Sequence, residues 1–405
     1  MFNEERRRLI LAQLYKHETV HVNYLSTLFS VSKETIRNDL NVLAKSGRVQ
    51  RCYGGAIISD RTVHAEDINN FDARIIDFFK KIKPNKDKKT RKEGKKMNGK
   101  VCILGSFNVD IIANVARFPK GGESILSTDS IIGPGGKGAN QALAASKSLA
   151  DVHFIAKVGK DQFGQLASDH LLSSNMKSVT LYQDEEAKTG SALIYVSQLD
   201  GENMIAIYPG ANQSITEEEV FAITPELSNS DVFLTQLENN FSATLQAIKI
   251  AQQLDAKVML NPAPYSPNAL QCLPYVDFIT PNETEASQLS GIEVTDLTSA
   301  KQAAEQIKNQ GAKNVIITMG AKGALIFDGQ KHEHIPAFKA VCVDSTGAGD
   351  AFNGAFAAAI ARGETVVQAA KFASAFASLA VEKVGASNMP DYESALSRIS
   401  QNNGK

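Results

Sequence analysis

The chain has 405 residues, long enough for two or three domains, because single cores stop growing at roughly 250 to 300 residues. Its 43% hydrophobic and 21% charged content is that of a soluble globular protein, and no apolar run approaches the roughly 18 residues a membrane-spanning helix needs, so no membrane partner is expected. The net charge of -1 conceals an asymmetry: residues 1–100 carry 22 Lys and Arg against 12 Asp and Glu, whereas residues 101–405 carry 21 against 32. A basic first quarter on an acidic remainder is the pattern of a nucleic-acid module attached to a small-molecule enzyme. The start, Met1 to Arg8, lacks the apolar core of a secretory signal, so the cytoplasm is the expected compartment. Cys52, Cys102, Cys272 and Cys342 lie far apart with no C-x-x-C pair, which argues for reduced structural thiols and against a zinc site.

Helical patterns run over Arg6 to Tyr15, Val22 to Phe29 and Lys33 to Ala44. In the third, Ile36, Leu40 and Leu43 recur on one stripe, leaving Lys33, Thr35, Arg37 and Asn38 on the other side. Ser32 is a candidate N-cap. The tight connection before it has the proportions of a helix-turn-helix, whose second helix lies in the major groove. Past Gly47, the run Arg48 to Ala56 reads as a β-wing with basic residues for phosphates.

These residues, Val31-Ser32-Lys33-Glu34-Thr35-Ile36-Arg37-Asn38-Asp39-Leu40 with Gly54-Gly55-Ala56, resemble the DeoR-type winged helix-turn-helix regulators. The resemblance implies double-stranded DNA as a partner. Arg37 and Asn38 would then meet base edges, arginine suiting guanine and asparagine adenine, with Lys33 and Thr35 beside them. Arg48 and Arg51 would position the phosphate backbone. No sugar-phosphate sensing domain follows the wing, which departs from that family's pattern.

Lys80 to Lys100 is lysine-dominated and nearly devoid of apolar residues, so it reads as a solvated tether. The expected division is a DNA-binding domain over 1–58, a partly helical, Lys-rich linker over 59–100 and an enzyme domain over 101–400. Beyond the linker, strand patterns at Val101 to Gly105, Val152 to Val158, Lys257 to Leu260, Phe278 to Thr280 and Val315 to Thr318 alternate with helical ones, which argues for βαβ units and a mostly parallel sheet. Asn108 to Ile132 and Thr189 to Pro209 carry strand signals without helices between them and could form a separate lid sheet.

Near the end stands Ser345-Thr346-Gly347-Ala348-Gly349-Asp350, followed by small residues to Ala361. Glycine and alanine bare the backbone where a helix begins, so amides can close on a phosphoryl group beside a carboxylate, the layout of a phosphotransferase site. Other motifs keep it company: Gly105-Ser106-Phe107-Asn108-Val109-Asp110, Gly135 to Gln141, Gln236-Leu237-Glu238, Asn282-Glu283-Thr284-Glu285 and Thr318 to Gly323. Read alone, Asp110 suits a strand-end carboxylate, Glu283 and Glu285 suit acidic residues at a helix N-terminus, and Thr318 to Gly323 suits a hairpin turn.

Together, from Val101 to about Leu396, these motifs resemble the ribokinase-like carbohydrate kinase family. The resemblance implies an α/β fold: a ribokinase-like αβα sandwich with a mostly parallel sheet and a small β lid, here preceded by an all-α winged helix-turn-helix domain. It implies that Asn108, Asp110, Gly136, Lys137, Gly138, Ala139, Asn140 and Glu238 surround a sugar. Asp350 would be the base, with the amides of Gly347, Ala348 and Gly349 stabilising the transferred phosphoryl group. Asn282, Thr318, Met319, Gly320, Ala321, Lys322, Gly323, Gly349 and Ser374 would hold ATP, and Glu285 would hold Mg²⁺ through water. Asp344, Thr346, Ala380, Lys383, Gly385 and Met389 match a K⁺ site built largely from backbone oxygens. Deoxyribokinase-like members are expected to carry an apolar residue where this chain has Asn108, so D-ribose is the favoured substrate. A homodimer paired through the lid is implied as well. Left open are 2-deoxyribose or another sugar, and a sugar-sensing regulator with an inactive kinase fold.

Overall fold

The computed structural model describes residues 3–17, 19–29, 31–47, 49–58, 76, 80, 98–174 and 176–402. The chain divides into two compact units, the first holding residues 1–93 and the second most of residues 94–405.

In the first unit, helices α1 (Asn3–His17), α2 (Val22–Leu28) and α3 (Lys33–Lys45) precede a hairpin of β2 (Val49–Cys52) and β3 (Gly55–Ile58). Ser32 caps α3 as expected, accepting from the Thr35 amide at 3.1 Å, while Ile36, Leu40 and Leu43 are buried. To the expected helices and wing the structure adds a strand, β1 (Thr19–His21), which pairs antiparallel with β3 and sets Val20 opposite Ala56. Three residues are too few to show a period of two, but an isolated two-stranded hairpin is marginal in water, and the extra strand steadies it. Gly55 permits the approach, since a Cβ there would overlap the Val20 carbonyl. Asp39, 1% exposed, binds Arg6 Nε at 2.5 Å and Arg7 Nε at 2.9 Å, fastening α1 to α3. Two of the arginines behind the basic count are thus internal ties. Most of the proposed linker, and Arg48, lie outside the described residues.

The second unit is built on a sheet of nine strands: β4 (Lys100–Leu104), β7 (Asp151–Gly159), β8 (Ser178–Asp184), β11 (Val232–Thr235), β12 (Lys257–Leu260), β13 (Phe278–Ile279), β14 (Asn314–Thr318), β15 (Ala324–Phe327) and β16 (His332–Ile335). Their order is β16-β15-β14-β13-β12-β11-β4-β7-β8, parallel from β8 to β14 and antiparallel only at β15 and β16. Every residue of β11 is buried, as are Val101 to Leu104 of β4. Strands shielded on both sides read as continuous apolar runs, which is why β4 is visible in the sequence, whereas β11 is not among the strand patterns read there. The first strand starts at Lys100 and the last helix ends at Asn402, each slightly outside the 101–400 bounds.

The two stretches lacking helices form their own sheet, β10 (Asn203–Tyr208), β9 (Gly190–Ser197), β5 (Asn108–Val115) and β6 (Ser127–Gly135), in that order. Helices α4 (Lys137–Lys147), α5 (Gln162–Ser173), α6 (Phe241–Gln253), α7 (Glu283–Ser290), α8 (Leu297–Asn309), α9 (Ala348–Ala361), α10 (Val366–Ala380) and α11 (Tyr392–Asn402) connect or follow the strands. Asp350 through Ile360 of α9 are all buried, and a helix without a polar face belongs inside a core. At Gly354 it seats against α4, where a Cβ would stand 2.6 Å from Ala144 Cβ and overlap the Gln141 carbonyl.

Candidate active site

The sheet order places β4 where the chain reverses direction: β7 and β8 extend to one side, β11 to β14 to the other. A crevice opens outside the C-terminal strand ends at such a switch point. Ser106 follows β4 and Glu238 follows β11, and the Ser106 hydroxyl donates to the Glu238 carboxylate across it. The amide of Lys137 at the start of α4 donates to the same Glu238 oxygen at 3.1 Å, and that of Gly138 donates to Ser106 Oγ at 3.3 Å. Gly136 turns the chain with φ +92°, and a Cβ there would come 2.8 Å from the Asn108 amide. Ala139 is buried behind this corner.

Asp350 lies at the third helical position of α9, after Gly347 as N-cap with φ +78°. Asn140 Nδ2 donates to one of its oxygens at 3.2 Å and Gln141 Nε2 to the other at 2.9 Å. Gln141 also donates to Asn261 at 3.0 Å and accepts from Gln236 at 2.6 Å, so residues after β11 and β12 hold the side chain that holds Asp350. Of the three amides expected in the anion cradle, that of Ala348 turns back to the Ser345 carbonyl at 3.2 Å. Above Gly349 the space is open, with no atom within 4 Å of a built Cβ.

The electrostatics bind these groups together. Burial, then the charges of Glu238 and Asp350, push Asp110 up to about 6. Burial also raises Asp350, against the pull of Lys137 and the hydrogen bonds from Gln141 and Asn140. For Lys137 burial acts downward, but Asp350, Glu238 and Glu285 prevail and hold its pKa above the usual value. One lysine thus stands among four acids, which suits a ligand that is neutral at one end and anionic at the other.

Asn282 and Glu285 complete a capping box on α7: Glu285 N donates to Asn282 Oδ1 at 2.8 Å, and Asn282 N donates to Glu285 Oε2 at 2.9 Å. Helix capping therefore accounts for both residues by itself, and any ligand role is additional. Glu285 is buried, which raises its pKa. Thr318 to Gly323 is the turn joining antiparallel β14 and β15, with Gly320 at φ +52° and Gly323 at φ +96°. Lys322 is engaged there, its Nζ 2.8 Å from both Glu283 Oε1 and the Thr295 carbonyl. Met319 is buried, Ala321 is exposed, and Ser374 lies half-buried on α10. Asp344 accepts from the Thr346 amide at 2.9 Å and the Gly385 amide at 2.8 Å, which draws two loops together. Against its burial, those amides keep its pKa low. Ala380 accepts from the Lys383 amide at 3.1 Å, and Met389 is buried nearby in sequence.

Sequence reasoning assigned no role to Gln141, Gln236, Asn261 or Asn212. The usable signal was position: three of them stand in or just past a strand end or glycine-rich corner, where an amide is costly to bury unless it orients something. On α3, Lys33, Arg37 and Asn38 are exposed, Thr35 is half-buried with its hydroxyl 2.9 Å from Ser32 Oγ, and Arg37 meets Glu34 at 3.2 Å. Arg51 donates to the Arg37 carbonyl at 3.2 Å, so it braces the wing against this helix.

A strand-end crevice at a switch point, a buried acid and an open helix N-terminus define a small-molecule kinase of the α/β class. Residues 98–392 match the model of the pfkB family of carbohydrate kinases, and the chain belongs to that family. Residues 6–62 match the DeoR-like helix-turn-helix domain. A ribokinase of Haemophilus influenzae is 36% identical over 301 residues, covering 74% of this chain and 98% of that one. A deoxyribokinase of Salmonella typhimurium is 34% identical over 308 residues, 75% of this chain and 99% of its own. The structure of Arabidopsis thaliana ribokinase complexed with ribose and ATP superposes with a TM-score of 0.68 at 31% identity, over 75% of this chain and 99% of that one. No described helix is long and apolar enough to cross a membrane.

Proposed function

We propose that this chain transfers the terminal phosphoryl group of ATP to the 5-hydroxyl of D-ribose, and that its first unit binds duplex DNA as a sequence-specific regulator in the cytoplasm. The observation that carries the enzymatic half is the buried Asp350 carboxylate, fixed by Asn140 and Gln141 beside the open turn at Gly349. In this reading Asp350 takes the proton as the sugar oxygen attacks phosphorus and ADP leaves. Its raised pKa makes it a better proton acceptor than an ordinary carboxylate. Asn108, Asp110 and Glu238 hold the remaining hydroxyls, and Lys137 meets the developing negative charge. ATP lies along Asn282, the turn from Thr318 to Gly323, and Ser374.

Mg²⁺ fits as a cation carried in on ATP: Glu285 offers one carboxylate whose second oxygen is free of the cap, and among the described residues no group of three His, Cys, Asp or Glu is arranged to hold a metal ion by itself. K⁺ fits the loops of Asp344, Thr346, Ala380, Lys383, Gly385 and Met389, because Asp344 spends its oxygens on amides and leaves carbonyls to coordinate. When bound, both cations would supply positive charge to the phosphate groups. A homodimer is favoured by the exposed apolar side chains of the lid, among them Leu193, Tyr195, Ile205 and Ile207. The domain division proposed is 1–58, 59–100 and 101–400.

A coupled assay of ADP release over ribose, 2-deoxyribose, fructose and adenosine, with and without K⁺, tests the enzymatic reading. Fastest turnover on ribose with K⁺ activation is the expected result. A preference for 2-deoxyribose would transfer the assignment to that sugar, and silence on all four would end it.

A further inference from the structure

Asn108 and Asp110 alternate on β5 and so share one face. Which end of the Asn108 amide that face presents is decided elsewhere, by Asn212 in the turn after β10. Backbone groups orient Asn212 without ambiguity. The Phe107 N–H, which can only donate, points at Asn212 Oδ1 at 3.1 Å. The carbonyls of Pro209 and Phe107, which can only accept, face Asn212 Nδ2 at 2.9 and 3.1 Å. Asn212 Nδ2 is therefore the atom directed at Asn108, at 2.9 Å, and the Asn108 atom it meets must be Oδ1. Asn108 Nδ2 is left with no protein partner among the described residues, on a side chain only 4% exposed. Asn212 is itself 1% exposed, so solvent does not compete for its bonds. Gly190 completes the device, because a Cβ there would overlap both Asn108 Oδ1 and Asn212 Nδ2.

We infer that Asn212 is a positioning residue for substrate choice, which with Gly190 turns Asn108 so that an N–H donor stands beside the Asp110 carboxylate. That pair matches one sugar hydroxyl, which accepts from Asn108 and donates to Asp110. A deoxysugar lacking that hydroxyl strands the donor in a nearly buried place, and sites built to bond a hydroxyl discriminate on that ground. The inference rests on the sugar-kinase reading above and adds what sets its preference.

The test is steady-state kinetics of the full chain with ribose and 2-deoxyribose at saturating ATP and K⁺. The variants are Asn212→Asp, Gly190→Ala, Asn108→Ala and the double variant Asn108→Ala with Asn212→Asp. Asn212→Asp keeps the acceptor for the Phe107 amide but replaces the donor, which reverses the Asn108 amide. Gly190→Ala wedges the same contact apart while leaving Asn212 in place, and it decides the matter if Asn212→Asp fails to fold. Either variant should raise KM for ribose about tenfold, with KM for 2-deoxyribose and both kcat values held within about twofold. On an Asn108→Ala background, Asn212→Asp should add nothing to the ribose KM. Equal losses for both sugars, additive effects in the double variant, or an active wild type indifferent to the two sugars would each overturn the inference. A wild-type chain that releases ADP with no sugar at all would instead sink the kinase reading beneath it.

Discussion

At the scale of single residues, Asp350 and Asp110 make opposite demands. Asp350→Ala should lower kcat on ribose by about 10² to 10⁴-fold, the usual contribution of a positioned base, in an ADP-release assay. Asp110 is raised to about 6 by burial and by neighbouring carboxylates, so its charged form is disfavoured in the folded chain. The resulting cost is absent below the unfolded pKa, near pH 4, grows up to pH 6 and is complete above it. Asp110→Asn should therefore raise stability at pH 7.5 by about 2 to 3 kcal/mol, have no such effect at pH 4, and still impair ribose turnover, which parallel denaturation and kinetic series would measure. Asp350 stands out in the sequence through its glycine-rich setting, whereas Asp110 read alone is an ordinary strand-end carboxylate and is singled out only by the family resemblance. Gln141 and Asn261 were not legible, since their importance lies in contacts separated by 209 and 120 positions along the chain, and no local pattern encodes such pairings.

At the scale of elements, local sequence spoke most clearly where a strand is covered on both faces or a helix has one apolar stripe. The strand pattern at Lys257–Leu260 matches the structure to the residue, and the helical pattern at Lys33 to Ala44 matches α3, with its Ser32 cap, except for the last residue, Lys45. Thr19–His21 was missed because its partner, β3, supplies the reason for its conformation. The buried Asp39 was equally silent. Its pairing with Arg6 and Arg7 predicts that Asp39→Ala strands a cation only 4% exposed and costs the first unit about 3 to 5 kcal/mol, visible as early unfolding in a denaturant titration. On the outer side of α3, the exposed Arg37–Glu34 pair is worth little and can be given up for a base edge. Arg37→Ala should abolish the gel shift of DNA upstream of the chain's own gene while leaving ribose turnover unchanged. Arg51→Ala should weaken the same shift by loosening wing from helix.

For the whole molecule, the lid matters beyond the sugar site. Leu193 pairs with Ala206 and Ile194 with Ile205, so Leu193 and Ile205 point to opposite faces of the lid sheet, and both are about half exposed. The homodimer proposed above predicts that Leu193→Asp combined with Ile205→Asp sediments as a monomer where the unaltered chain sediments as a dimer. DNA affinity should fall with it, because two recognition helices joined by two-fold symmetry meet two half-sites.

The contact at Gly354 bears on any attempt to make this protein hardier. Glycine inside a helix ordinarily invites replacement, alanine being better by about 1 kcal/mol, and a propensity-guided engineer would begin there. In this chain the added methyl would wedge α9 off Gln141 and Ala144, separating the acid from the amide that aims it. The position is tuned for proximity, so thermal robustness is better sought at surfaces remote from that seam.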